Sequence, residues 1–347
     1  MSERSEYKFE EFDKEKINKR LRKQIYNKLE RKLNMSKYCF GVDIGGTTIK
    51  MGLFTESCQL LSKWEIPTDK SNNGSNILTD VAEAIDKKLS DERISKENVI
   101  GIGIGVPGPV NKDNIVLKCV NLGWGVFKVG EEVKKLTGIS NVMVGNDANV
   151  AALGEATTAG NSGYDDMVML TLGTGVGGGV IINDRILAGT NGAAGELGHI
   201  QVRFDEEDSC GCGKCGCLEQ YASATGIVKE AKRYMASHDD ITTLRDIENL
   251  TAKDIFDHAK EGDSVSLKLV DRLGMYLGTA CAHIASVVDP EAFVIGGGVS
   301  KAGNILIENI VKYYEMYAME PLRGKPFELA KLGNDAGIYG CAKMILG

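Results

Sequence analysis

The sequence predicts an α/β protein in which one unit is used twice, and three observations predict it. A strand, a glycine turn and a second strand occur over 38–54 and again over 167–183, each opening a domain-sized stretch. The chain has 347 residues, beyond the size of roughly 250–300 residues at which a single core stops growing. Its 42 glycines against 6 prolines, with no collagen-like period, imply many places where backbone turns sharply or approaches a ligand.

The elements follow in order. Residues 1–36 are a charged leader in which Ile17, Leu21, Ile25, Leu29 and Leu33 recur every four positions, a helical apolar stripe. Two readings stand for it: a solvated helix, or a partner-binding or oligomerisation helix. Met35 offers an alternative translation start. Strands are expected over 38–43 and 49–54 around Gly45-Gly46-Thr47, as a hairpin. A helix follows over 77–89, with Val81, Ala84, Ile85 and Leu89 on one face. The strand over 99–106 ends at the breaker Pro107-Gly108-Pro109. A short strand over 142–144 runs through Gly145-Asn146-Asp147 into a helix over 148–156.

The second copy has strands over 167–172 and 180–183 around a glycine turn over 173–179. A buried helix over 275–288, a strand over 293–295, the turn Gly296-Gly297-Gly298, a helix over 305–317 and a closing helix over 334–346 complete the chain. The halves are expected to part near Asp147. The first domain then comprises 37–147 with 333–347, and the second 148–332.

Composition narrows the function. A net charge of −7 argues against a general affinity for nucleic acid or acidic membrane. The charge is uneven: residues 1–34 hold 11 Lys/Arg and 7 Asp/Glu, net +4, so the remainder carries −11. The N-terminus is charged and lacks the apolar run of a signal peptide, and the stretch 275–288 is too short to span a bilayer. Of nine cysteines, five are scattered singly and four crowd into 210–217. That is the pattern of a reduced, cytoplasmic protein with one local metal site rather than a disulfide framework.

Glycine turns suit phosphates, because backbone N–H groups converge on oxygens without side-chain obstruction. Gly173-x-Gly175-x-x-Gly178 spells a dinucleotide fingerprint, but the β-branched Val180-Ile181-Ile182 follows where that motif needs a helix. No Walker A sequence is present. Taken together, Asp43-x-Gly45-Gly46-Thr47-x-x-Lys50, Leu172-Gly173-Thr174-Gly175 and Gly296-Gly297-Gly298 resemble the sugar-kinase, heat-shock-protein and actin superfamily.

Within it the chain from about Tyr38 onward is similar to the ROK family (repressor, open reading frame, kinase), and most like its bacterial glucokinases. The resemblance rests on Val42-Asp43-Ile44-Gly45-Gly46-Thr47, Gly105-Val106-Pro107-Gly108, Asn146-Asp147-Ala148-Asn149 and Glu196-Leu197-Gly198-His199. Asn121-Leu122-Gly123-Trp124 and Cys210-x-Cys212-Gly213-x-x-Gly216-Cys217-x-Glu219 complete it. It implies two duplicated ribonuclease-H-like or actin-like domains that close over ATP and sugar. The implied reaction is ATP-dependent phosphorylation of a hexose at its 6-hydroxyl, with glucose the first candidate. N-acetylglucosamine, N-acetylmannosamine, mannose and fructose are the alternatives. The family's transcription repressors are a further one, but 36 residues before the first strand are few for a helix-turn-helix domain.

The resemblance also implies roles. Asp147 is the general base, although its position alone favours a helix N-cap. Gly108, Asn121, Asn146, Glu196, His199 and Glu219 are implied sugar ligands. Gly45, Gly46, Thr47, Thr48, Lys50, Gly173, Thr174, Gly175, Gly297 and Gly298 are the implied ATP residues, with Lys50 readable as a plain strand lysine. Asp43 suits Mg²⁺ through water. His199, Cys210, Cys212 and Cys217 make a structural Cys₃His zinc site, with Cys215 a bystander. A site of all four cysteines and a disulfide remain the alternatives. The implied partners are the hexose and further copies of the chain, as a homodimer or homotetramer.

Overall fold

The computed structural model describes residues 36–157, 160 and 163–347. The leader helix expected before residue 36 lies outside the described residues. β1 (Tyr38–Ile44) and β2 (Thr48–Thr55) form the expected antiparallel hairpin with Asp43 opposite Lys50, and β3 (Leu60–Pro67) extends it. After α1 (Ile77–Asp91), β4 (Val99–Val106) lies parallel to β1. After α2 (Val129–Thr137), β5 (Val142–Asn146) lies parallel to β4. The sheet order is β3-β2-β1-β4-β5.

α3 (Asp147–Glu155) leads into the second half. There β6 (Met167–Leu172), β7 (Val176–Ile182) and β8 (Arg185–Ile186) form an antiparallel ribbon. After a one-turn helix, Glu219–Ala222, come three longer ones: α4 (Ala224–Ser237), α5 (Ala252–Lys260) and α6 (Ser264–Val288). β9 (Ala292–Gly296) joins β6 in parallel; after α7 (Asn304–Tyr317), β10 (Phe327–Leu329) joins β9 in parallel. Read from one edge the order is β8-β7-β6-β9-β10, with the same parallel and antiparallel pattern as the first sheet. The duplication expected from the repeated strand–turn–strand pattern is present.

Strand alternation builds the layers. Phe40, Val42 and Ile44 point to a core closed by Val81, Ile85 and Leu89 of α1 and Val129 and Val133 of α2. On the opposite face Cys39 packs with Ile338, Ala342 and Ile345 of the closing helix α8 (Ala336–Leu346). That face carries glycine because the helix lies directly on it. A Cβ at Gly41 would sit 2.1 Å from the Ile338 carbonyl oxygen, and one at Gly103 1.8 Å from that of Cys341. In the second half Val168, Leu170 and Ile295 face the large core under α6 and α7, while Met167, Met169 and Val294 face Ala152 and Leu153 of α3. The layers therefore run first sheet, α8, α3, second sheet.

α3 and α8 touch backbone to backbone, since a Cβ at Gly340 would lie 1.7 Å from the Val150 carbonyl oxygen. Gly340→Ala is expected to cost about 3 kcal/mol, the upper end of overpacking penalties, because neither backbone can yield locally. A urea denaturation midpoint unchanged from the parent protein would refute this contact.

Two expectations need correction. The glycine turn over 173–179 is confined to 173–175, and Gly177, Gly178 and Gly179 belong to β7. They are glycine because neighbours crowd the strand: a Cβ at Gly179 would lie 2.5 Å from Ala152 Cβ, and one at Gly178 2.6 Å from Leu197 Cδ1. The buried helix over 275–288 is the second half of the 25-residue α6, whose first half exposes Lys268 and Arg272 and so breaks the apolar run. Elements β3, β8, β10, α2, α4 and α5 went unpredicted; they are short or half-exposed. Among the described residues no helix is long and apolar enough to cross a membrane.

Candidate active site and metal centre

Parallel pairing of β4 with β5 sets Val106 beside Asn146 and brings the Gly108 turn against the start of α3. Asn146, not Asp147, is the N-cap of α3: its Oδ1 accepts from the N–H groups of Ala148 (3.0 Å) and Asn149 (3.1 Å). Its Nδ2 donates to the Gly108 carbonyl (3.2 Å) and to Asp147 Oδ1 (3.0 Å). Asp147 Oδ1 also accepts from Ala148 N–H (2.8 Å). One carboxylate oxygen is thus held, and Oδ2 has no hydrogen-bond partner among the described residues.

Burial raises the Asp147 carboxyl above its ordinary range, and the charge of Glu196 adds to the rise, against the Ala148 N–H bond. Asp43, at the end of β1, is raised to about 6, first by burial and then by the charge of Asp147, with Lys50 opposing. Acidic groups from both halves therefore converge. Asn121 stands exposed on a single turn, Val120–Leu122. The nearby Cys119 thiol is raised by burial and, further, by the Asp147 charge, which sets this loop beside the carboxylate.

Each of the three glycine turns follows the C-terminal end of a strand, β1, β6 and β9. Gly45 N–H donates to the Thr48 carbonyl (3.0 Å) and closes the first turn; the Thr47 carbonyl accepts from Thr68 N–H (3.0 Å), and the N–H groups of Gly46 and Thr47 have no partner among the described residues. In the second, Gly173 and Thr174 carbonyls accept from Ala224 N–H (2.8 Å) and Thr225 Oγ1 (2.6 Å), which ties the turn to the start of α4. Gly297 holds φ +83° and sits on the Leu172 backbone, a conformation and a space that exclude a side chain. Gly298 borders a cavity of about 340 Å³ with Ala224, Phe256, Lys260 and Lys301. The sequence reading missed these four: Phe256 and Lys260 lie one turn apart on α5, but Ala224 opens α4 and Lys301 follows the Gly298 turn, and no single local pattern joins all of them. Lys50 donates to the Asn334 carbonyl (3.1 Å) at the surface, the geometry of a plain strand lysine.

The cysteine loop meets His199 at the end of a one-turn helix, Leu197–His199. One ligand atom from each of His199, Cys210, Cys212 and Cys217 lies within 4.8 Å of the others, a set that fits tetrahedral zinc. The cysteines are free thiols, so a disulfide is absent from this arrangement. Cys215 lies outside the set, its thiol donating to the Glu207 carbonyl (3.7 Å). His199 turns Nδ1 toward Cys210 Sγ (3.7 Å) and Nε2 toward Glu196 Oε2 (3.9 Å). Glu219 bridges the two regions: Oε1 accepts from the Cys210 thiol (3.7 Å) and Oε2 from Val176 N–H (3.1 Å), beside the Gly173–Gly175 turn.

The sequence profile described as the ROK family matches residues 39–347. The chain belongs to the ROK family. It is 45% identical to a glucokinase of Halalkalibacterium halodurans, over 88% of this chain and 93% of that one. Among solved structures it resembles a ROK family glucokinase from Streptomyces griseus in complex with glucose and AMPPNP. The identity is 33% and the TM-score 0.67, over 88% of this chain and 98% of that one. A putative xylose repressor of Caldicellulosiruptor is 26% identical over 88% of this chain but only 77% of its own length. This ROK chain therefore spans its kinase relative nearly end to end and leaves about a quarter of the repressor unmatched.

Proposed function

We propose that this protein is an ATP-dependent hexose kinase that converts glucose to glucose 6-phosphate. The observation that carries the reading is Asp147, held through Oδ1 and open at Oδ2, between Asn146, Gly108 and the glycine turns. Phosphoryl transfer needs little covalent chemistry from a protein beyond positioning, electrostatic stabilisation and a group to accept the hydroxyl proton. Asp147 Oδ2 takes the proton of the sugar 6-hydroxyl as the oxygen attacks. Asn146, Gly108, Asn121, Glu196, His199 and Glu219 hold the remaining hydroxyls, carboxylates and imidazole accepting from donors.

Gly45, Gly46, Thr47, Thr48, Gly173, Thr174 and Gly175 are assigned to the ATP phosphates, and Gly297 and Gly298 to adenosine. The cavity beside Phe256 suits the base in size and apolar character. Lys50 contributes positive charge near Asp43 rather than a direct contact. Asp43 is raised first by burial and then by the charge of Asp147, with Lys50 only partly opposing, and a hydrated Mg²⁺ beside the two carboxylates would offset that repulsion. A zinc ion on His199, Cys210, Cys212 and Cys217 would anchor the loop that carries Glu219. The domains are 37–147 with 333–347, and 148–332. A cytoplasmic homodimer or homotetramer, binding neither nucleic acid nor membrane, completes the proposal.

A panel of glucose, mannose, fructose, N-acetylglucosamine and N-acetylmannosamine in a coupled ADP-release assay tests it. Glucose is expected to show the highest kcat/KM. A higher value for another hexose would transfer the substrate, and no ADP release with any would end the kinase reading. In the same assay kcat should fall on acidification at a pH above the ordinary carboxylate range. Burial raises Asp147, and only its deprotonated form accepts the proton.

A further inference from the structure

A cavity of about 460 Å³ lies on the outer edge of β5, larger than the one beside Gly298. Its walls come from both halves: the loop after β4, β5 and the end of α8 on one side, α3 and β8 on the other. Apart from Asn146, none of the residues assigned to hexose, ATP or metal lines it. The body is apolar, formed by Val110, Met143, Leu153, Ile186 and Met344.

The polar groups at its rim are nearly all donors. Asn111 Oδ1 already accepts from the N–H groups of Asp113 and Ile115 (3.0 Å each), and Asn114 Oδ1 from that of Val144 (2.8 Å). Both asparagines are left with amide nitrogens that have no partner among the described residues. Lys112 and Arg185 are exposed cations with no ion partner among the described residues. The acid in the lining, Asp184, pairs with Lys343 at 2.5 Å, and Lys343 also donates to the Gly347 oxygen (3.2 Å) at the cavity wall. A concave apolar body with a few convergent polar groups is the form of a small-molecule site. Here the groups left unpaired are cations or N–H donors, apart from the buried Asn149 Oδ1 that lies against Gly195, so the complementary ligand carries negative charge.

We propose that this cavity is a second ligand site, for a small organic anion with an apolar body and a carboxylate or phosphate head. The head lies against Lys112, Arg185 and the asparagine amides, and the body against Leu153, Ile186 and Met344. Such a ligand touches both halves of the molecule and, of the residues assigned to hexose, nucleotide or metal, Asn146 alone. The inference goes beyond the kinase reading and stands whichever hexose is the substrate.

Anilinonaphthalene sulfonate, an apolar bicyclic anion, is the probe. It is titrated by fluorescence into the full-length protein saturated with glucose, Mg²⁺ and AMPPNP, so that the substrate positions are filled. Saturable binding of one dye per chain is expected. Lys112→Glu combined with Arg185→Glu should weaken it by about tenfold or more, and Ala188→Trp, which fills the cavity, should remove it. Both variants should keep the parent's turnover and thermal midpoint, which shows that they are folded. Dye affinity within about twofold of the parent in both folded variants would overturn the site, as would displacement of the dye by glucose or AMPPNP. Absence of saturable binding would overturn it as well.

Discussion

Asp147→Asn is expected to leave a folded protein that still binds glucose but turns over about 10²–10⁴-fold more slowly. The substitution keeps the shape of the side chain. An asparagine Oδ1 can still accept from Ala148 N–H and Asn146 Nδ2, so the start of α3 retains its hydrogen bonds. What changes is the outward atom: a carboxylate oxygen that takes a proton becomes an amide nitrogen that cannot. The loss of charge also removes the repulsion that helps raise Asp43, so thermal stability should not fall. Calorimetric titration with glucose separates binding from chemistry, and coupled ADP release reads the chemistry. Turnover within about threefold of the parent, well short of the effect of a positioned base, would remove Asp147 from the role.

The second large effect concerns the metal. The protein is expected to carry about one zinc per chain, as a four-ligand structural site does. Cys212→Ala takes one thiolate from a set whose ligand atoms all lie within 4.8 Å, and metal affinity in such sites is folding free energy. Zinc content and thermal midpoint should fall together. Glucose affinity should fall with them by roughly tenfold, the lower end of the effect of losing a supporting partner at a metal site. The link is structural: His199 reaches Cys210 through Nδ1 and Glu196 through Nε2, and Glu219 contacts both Cys210 and Val176. ATP affinity should change less, because the Gly45 and Gly297 turns lie outside these contacts. Cys215→Ala is the control and should do little, since that thiol faces the Glu207 carbonyl. Elemental analysis without zinc, or equal damage from Cys215→Ala, would favour another ligand set.

Much of this was legible in the sequence because it is local. The β1–β2 hairpin is written in apolar runs flanking Gly45-Gly46, and the cysteine spacing over 210–217 announces a metal loop before any fold is known. The duplication was visible because the same strand–turn–strand pattern returns at 167. Local patterns also misled. The glycines after 175 read as a turn because glycine is the usual turn residue, and only the positions of α3 and Leu197 show why a strand needs Gly179 and Gly178.

The sequence by itself determined the element types around each glycine turn, the repeated unit and which residues can carry charge or bind metal. These depend on periodicity, backbone freedom and side-chain chemistry, all properties of a few consecutive residues. Tertiary structure alone decided that Asn146 takes the cap and leaves Asp147 one open oxygen, and that His199 divides its nitrogens between Cys210 and Glu196. It also decided that the cavity beside Gly298 gathers Phe256, Lys260 and Lys301. Beyond the local cap, those arrangements join Gly108 to Asn146, His199 to Cys210 and Phe256 to Lys301, residues on different elements, and they follow from how those elements pack. No stretch of the chain records that packing, because its energy comes from surfaces that meet only once the chain has folded.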